Sequence, residues 1–417
     1  MKLNISFDKP CGKIKAIASK SVAHRLLICA AFADAPAKIL CEETNNDIEA
    51  TAACLNALGA KITRNAPYYD IIPVDPERIN KNATLPCGES GSTLRFLLPV
   101  AASLGADCSF ALEGRLADRP LSPLREELEA HGVTVSGYNP LSISGKLVGN
   151  EFSIDGSVSS QFISGLLFAL SLLSSDSVLT VTGKIESAPY IDITCDALSL
   201  FGAKPTRKDN KFFINSSSFV SPSLLEVEGD WSNAAFPLAL GAIGGEIEIF
   251  GLNPNSSQGD KAIVDLLARF GADIYLSPDG SYIARRSELR GIDIDASQIP
   301  DLVPVLATVA SVAKGRTRIY GASRLRLKES DRLATVKDLL SRLGANIELT
   351  DDGLIIEGVT ALDGGKVDSH NDHRIAMSAA VASAVCSEKV SIERAEAVKK
   401  SYPAFWEDMS ALGAKIS

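Results

Sequence analysis

Six copies of one short pattern constrain what this chain of 417 residues can fold into. Each is an amphipathic stretch ending in an apolar residue, then Gly-Ala or a close variant, then a return to strand-like residues. They read LNALGAKI (55–62), LEAHGVTV (128–135), LSLFGAKP (198–205), LARFGADI (267–274), LSRLGANI (340–347) and MSALGAKI (409–416). Their glycines, Gly59, Gly132, Gly202, Gly271, Gly344 and Gly413, stand 73, 70, 69, 73 and 69 residues apart. Glycine just past a helix suits the left-handed backbone, which a side chain would strain. Upstream, Ile263, Leu267 and Phe270, or Phe405, Met409 and Leu412, keep the i, i+4, i+7 spacing of one helical face. A fixed period of this length marks a repeated structural unit.

Between the glycine marks lies a second, more apolar stretch, each time preceded by a polar loop: ASKSVAHRLLI, CGESGSTLRFLL, DGSVSSQFISGLL, GDWSNAAFPLAL, SQIPDLVPVLA and SHNDHRIAMSAA. A helix that is apolar nearly all round is buried. Each unit therefore reads strand, buried helix, strand, outer amphipathic helix, strand. Six such units predict an α/β protein of two domains with three units each, buried helices inside and sheets plus outer helices around them.

Composition narrows the function. The 51 acidic residues outnumber the 42 basic ones, for a net charge of −9, and only 6% of residues are aromatic. Nucleic-acid binding would favour a basic excess and stacking platforms, so nucleic acid is not an expected ligand. No apolar run approaches the roughly 20 residues that span a bilayer, and residues 1–15 lack the apolar core of a signal peptide. The eight cysteines contain no C-x-x-C pair and read as free, buried or half-buried thiols of a reducing compartment.

Within this acidic chain, cations and hydroxyls gather in the loops that lead into helices. Lys20, Ser21 and Arg25 lie at one helix start, Ser159, Ser160 and Gln161 at another, His373 and Arg374 at a third. Arg115, Arg119, Lys328, Arg332, Lys399 and Lys400 occupy the other loop set. Helix N-termini attract anions, and arginine's planar fork suits phosphate and carboxylate. A small, strongly anionic substrate is the expected ligand.

Taken with the repeat, these loops resemble the enolpyruvyl transferase family over essentially the whole chain. The resemblance rests on Ser19-Lys20-Ser21 with Arg25, the GESGS loop (88–92) with Arg95, and Arg115 to Pro120. It continues through GSVSSQF (156–162), APYIDIT (188–194), VEGD (227–230), Pro300-Asp301, KESDR (328–332) and NDHR (371–374). It implies transfer of the enolpyruvyl group of phosphoenolpyruvate to the 5-hydroxyl of shikimate 3-phosphate, releasing phosphate, with no cofactor and no metal. It also implies two domains of three βαβαββ units, 1–19 with 229–417 and 20–228, with the active site in the cleft between them. A monomer in the cytoplasm is expected.

By the same resemblance, Lys20, Ser21, Arg25, Ser159, Ser160, Gln161, Ser187, Tyr190, Asp301 and Lys328 hold shikimate 3-phosphate, on the domain of residues 20–228 in the main. Lys20, Gly91, Arg119, Gln161, Arg332, His373, Arg374 and Lys400 surround phosphoenolpyruvate. Catalysis falls to Lys20, to Asp301 as base for the attacking hydroxyl, and to Glu329 for proton transfer at the methylene carbon. Plainer readings stand beside these: N-capping for the Ser159 loop, a tight turn for Gly91, surface ion pairing for Glu329, a helix-start charge for Asp301. His370 and His373 form an H-x-x-H spacing, but Arg374 beside it disfavours a cation. Ala18, Glu89, Ser92, Phe96 and Arg324 depart from the family pattern. Two alternatives are a transferase acting on UDP-N-acetylglucosamine and a non-catalytic anion-binding scaffold of the same fold.

Overall fold

A computed structural model describes residues 1–417. The chain divides into two compact units, Met1–Ile17 with Glu228–Ser417, and Ala18–Val227. Each encloses its own apolar core.

The repeat is what builds both units. All six marker glycines adopt positive φ, between 87° and 119°. Each thus turns the chain out of an outer helix, as at Gly271 after Ile263–Phe270. Ile263, Leu267, Phe270, Phe405, Met409 and Leu412 are fully buried, the expected inner faces. Helices Lys20–Ala31, Gly91–Ser103 and Ser160–Ser171 are buried over most of their surface, as are Trp231–Gly244, Val303–Ala310 and His373–Ala382. Gly165 allows two of them close contact: a Cβ there would lie 2.2 Å from the Arg95 carbonyl oxygen.

There are six four-stranded sheets. In the third repeat, Glu151–Asp155 runs parallel to Ser177–Thr182, which pairs antiparallel with Lys211–Ile214, and that in turn with Thr206–Lys208. The segment after the outer helix is therefore a hairpin of two strands. The residue pattern implied one strand there, because Thr206–Lys208 is polar and exposed throughout and carries no apolar alternation of its own, unlike Lys211–Ile214.

Three sheets are completed by strands remote in sequence. Cys11–Lys15 runs parallel to Glu246–Phe250, and Leu224–Glu226 runs parallel to Ala37–Leu40. Lys2–Phe7 lies between Val390–Glu393 and Ala414–Ile416, antiparallel to both. Where the chain re-enters the first unit, the Asp230 N–H donates to the Ile17 carbonyl at 2.8 Å. Glu228 there accepts from Ser256, Asn253 and Gln258 at 2.5–2.8 Å. All eight cysteines are free. Five are buried and two half-buried, but Cys11 is exposed, on an edge strand the sequence pattern did not place. No helix is long and apolar enough to cross a membrane.

Candidate active site

In the unit of residues 18–227, the buried helices present their N-termini with neutral caps. Ser19 accepts from the Val22 N–H, Ser90 from Thr93 and Ser159 from Gln161. A serine cap satisfies an amide without cancelling the positive end of the helix dipole.

Arg25, one turn into the first of these helices, is buried. Its Nε donates to Thr194 Oγ1 at 2.8 Å, one Nη to the Ser21 carbonyl at 2.7 Å and the other to the Tyr190 carbonyl at 2.8 Å. The guanidinium stacks 4.9 Å above the Phe96 ring. Its hydrogen bonds go to two hydroxyls, Thr194 and, at 3.5 Å, Ser164, and to two carbonyls, and burial pulls its pKa down to about 10. A buried cation held by neutral dipoles favours an anion nearby. Ser187, which precedes helix Ala188–Leu200, is buried and held at φ 53°. Lys20 pairs with Asp47 at 2.9 Å.

Gly91 opens its helix where two arginines converge. A Cβ there would lie 2.6 Å from an Nη of Arg119 and 2.6 Å from one of Arg95. Any larger residue would displace both. Arg95 is buried, donating to the Gly91 carbonyl at 3.2 Å and to Pro120 at 3.3 Å. Glu89 lies over Gly114 of the neighbouring loop, and Arg115 is exposed.

In the other unit, one arginine organises three carboxylates. Arg332, the first residue of helix Arg332–Arg342, is fully buried. Its Nε donates to Asp372 at 2.8 Å, one Nη to Asp301 at 2.7 Å and the other to Glu329 at 2.7 Å. Burial opposes its charge, but Asp372, Glu329 and Asp301 raise its pKa above the ordinary arginine range. Arg374 adds a 3.3 Å contact to the other oxygen of Asp301 and a 3.2 Å bond to its carbonyl, and Lys328 lies 3.6 Å from the same carboxylate. Burial raises the Asp301 pKa, yet Arg374, Lys328 and Arg332 together hold it well below the usual carboxylate range. Lys328 is pulled down by burial, partly offset by Asp301. Asp301 sits on a single 3-10 turn, Pro300–Leu302, rather than at the first turn of an α-helix.

Asp372 caps helix His373–Ala382 by accepting the Arg374 N–H at 3.0 Å, so one carboxylate fixes both arginines. The preceding His370 and Asn371 both have positive φ, at 53° and 57°. Strain of this kind in adjacent non-glycine residues persists where the surroundings over-determine it. Lys400 holds the Asn371 carbonyl at 2.7 Å, whereas Lys399 is exposed. His373 is buried 3.9 Å from Asp372, and His370 faces Asp338 at 3.6 Å, so the two histidines serve different neighbours. Arg324 donates to the Ser297 carbonyl at 3.1 Å.

The sequence-predicted residues thus form two groups: Ser21, Arg25 and Tyr190, with Gly91 and Arg119, in one unit; Asp301, Lys328, Glu329, Arg332 and Arg374 in the other. Sequence reasoning missed Asp372, which sits inside the NDHR motif. It also missed Thr194, Asp47 and the buried carboxyl Asp260, which accepts from Ser232.

Known proteins resemble this chain in sequence and in fold. Residues 8–409 match the family described as EPSP synthase (3-phosphoshikimate 1-carboxyvinyltransferase). A protein named 3-phosphoshikimate 1-carboxyvinyltransferase from Clostridium kluyveri is 43% identical over 418 residues, covering 99% of this chain and 98% of that protein. One of the same name from Clostridium perfringens is 43% identical over 421 residues, again covering 99% and 98%. Among solved structures, an EPSP synthase from Acinetobacter baumannii is similar with a TM-score of 0.82 at 26% identity, covering 100% of this chain and 99% of that one. The enolpyruvyl transferase NikO from Streptomyces tendae shares the fold, with a TM-score of 0.81 at 17% identity over 100% of this chain and 98% of its own.

Proposed function

The chain belongs to the EPSP synthase family, and from that premise we propose that it transfers the enolpyruvyl group of phosphoenolpyruvate to the 5-hydroxyl of shikimate 3-phosphate, releasing phosphate. The supporting observation is the cluster in which Arg332 and Arg374 converge on Asp301 beside Lys328 and Glu329.

Addition needs a proton removed from the 5-hydroxyl and one delivered to the methylene carbon, giving a tetrahedral ketal phosphate. Elimination then removes a proton from the new methyl group and expels phosphate. Asp301 takes the hydroxyl proton. With its pKa held down by three cations, it is a weak base until anionic substrates draw those cations to themselves and raise it. Glu329 gives and later removes the proton at carbon. Lys20 bridges the two substrates. Ser21, Arg25, Ser159, Ser160, Gln161, Ser187 and Tyr190 take shikimate 3-phosphate on the unit of residues 18–227, with Lys328 and Asp301 at its ring. Gly91, Arg119, Gln161, Arg332, His373, Arg374 and Lys400 take phosphoenolpyruvate. The protein works as a cytoplasmic monomer.

Phosphate release from phosphoenolpyruvate tests this. Release is expected with shikimate 3-phosphate as acceptor and not with UDP-N-acetylglucosamine. The reverse pattern identifies a sugar-nucleotide transferase, and release with neither leaves an anion-binding scaffold.

A further inference from the structure

Beneath the Gly91 loop lies a set of polar side chains that the reaction does not use. His24 Nδ1 meets Thr51 Oγ1 at 2.6 Å, Thr51 meets Thr93 Oγ1 at 2.7 Å, and Thr93 donates to Ser90 Oγ at 2.7 Å. Ser90 and Ser92 hydroxyls stand 3.4 Å apart, and Ser92 returns to His24 Nε2 at 3.2 Å. The five side chains close a ring. Four of them, His24, Thr51, Ser90 and Thr93, are fully buried, and Ser92 is half-buried.

The direction of the ring follows from hydrogen-bond accounting. Each hydroxyl has one proton to donate, and a neutral imidazole has one donor and one acceptor. Thr93 donates to Ser90. The chain of donors then runs from His24 Nδ1–H through Thr51, Thr93, Ser90 and Ser92 back to His24 Nε2, which accepts. Every member donates once and accepts at least once. A second proton on His24 would set Nε2–H against the Ser92 O–H and force that hydroxyl to turn its proton out of the ring.

Helix Lys20–Ala31 carries His24, helix Asn46–Leu58 carries Thr51, and helix Gly91–Ser103 starts between Ser90 and Ser92. The ring therefore ties the start of the Gly91 helix to the helix that begins at Lys20. We propose that His24, locked as the neutral Nδ1–H tautomer, is a positioning residue that fixes the Gly91 turn for its role in binding phosphoenolpyruvate. The positioning role rests on the proposed reaction. Burial, then Lys20 and Arg25 on the same helix, lower the His24 pKa well below the ordinary histidine range. Asp47, from the neighbouring helix, spends its carboxylate on Lys20, and its carbonyl, 3.4 Å from Thr93 Oγ1, is a more distant acceptor than Ser90 for the single Thr93 proton.

Nitrogen-15 NMR of the whole protein reads the ring directly. His24 is expected as the Nδ1–H tautomer with no titration down to pH 5, and Thr51→Val is expected to change that signature. An Nε2–H tautomer, or ordinary titration near pH 6.5, overturns the ring whatever the substrate proves to be. Kinetics then read positioning. Ser92→Ala is expected to raise the KM for phosphoenolpyruvate roughly 3- to 10-fold, the range of one lost hydrogen bond, with kcat changed less. Ser92→Thr, which restores a hydroxyl, is expected to bring KM back. Unchanged KM in both Ser92→Ala and Thr51→Val overturns the positioning role. A wild-type protein inert toward phosphoenolpyruvate refutes the function and the positioning role with it, while the tautomer seen by NMR still decides whether the ring exists.

Discussion

At the scale of single residues, the two units handle charge in opposite ways. Arg25 is a cation held by neutral groups, whereas Arg332 satisfies three carboxylates at once. Glu329 is held by that arginine at 2.7 Å, and Gln can still accept there. Glu329→Gln is therefore expected to keep substrate binding and lose turnover by roughly 10²–10⁴, the range for a missing proton-transfer group; steady-state kinetics beside ligand binding measures both. Asp260 behaves differently. Burial, then the nearby Asp301, push its pKa up to about 6, despite Arg374 and the Ser232 hydroxyl. A carboxyl whose folded pKa exceeds its unfolded value of about 3.9 carries no penalty when protonated below that value. The penalty grows as pH rises toward 6 and stays constant above it. Asp260→Asn removes it, so the variant is expected to be more stable than the wild type by on the order of 2–3 kcal/mol above pH 6. The difference should vanish near pH 4. Urea unfolding at both pH values decides, and a variant less stable at pH 7 would show that the ionised carboxylate holds its neighbours together.

At the scale of elements, the caps mirror this division. The three buried helices of residues 18–227 start on Ser19, Ser90 and Ser159, whereas Trp231–Gly244 and His373–Ala382 start on Asp230 and Asp372. Aspartate caps as well as serine but brings a negative charge to the positive end of the helix. Ser159→Asp separates folding from anion binding. Its melting temperature is expected to stay close to that of the wild type, because the cap survives. Its affinity for shikimate 3-phosphate is expected to fall at least tenfold, because the phosphate would meet a carboxylate. Calorimetry reads both; undiminished affinity would remove this helix start from the phosphate site. Elements were also where the sequence was most legible. Helical spacing at Ile263, Leu267 and Phe270 is a local signal, and so is the glycine that ends the helix. The hydrogen bonds from Arg25 to Thr194 and from Arg332 to Asp372 span 169 and 40 residues. No periodicity within a helix encodes such a pairing, and only the KESDR and NDHR motifs hinted at the second.

At the scale of the whole molecule, the repeat is complete only because the chain borrows strands from itself. Lys2–Phe7 fills the place between Val390–Glu393 and Ala414–Ile416. Spacing alone could not reveal this, since the glycine marks say nothing about which distant strand enters a sheet. Leu3 and Ile5 on this strand are buried in the core of residues 1–17 and 228–417, which is separate from the core of residues 18–227. Ile5 is fully buried, so Ile5→Ala removes three carbons from a packed site, at a cost of about 2–5 kcal/mol. Because each unit has its own core, the loss is expected to be local. Hydrogen exchange should quicken in 365–368, 390–393 and 414–416, the strands of that sheet, and stay slow in 91–103 and 160–171, which belong to the other core. Equal acceleration in both sets would mean that the two cores unfold as one cooperative body. No acceleration in either would mean that the borrowed strand contributes little to the sheet it completes.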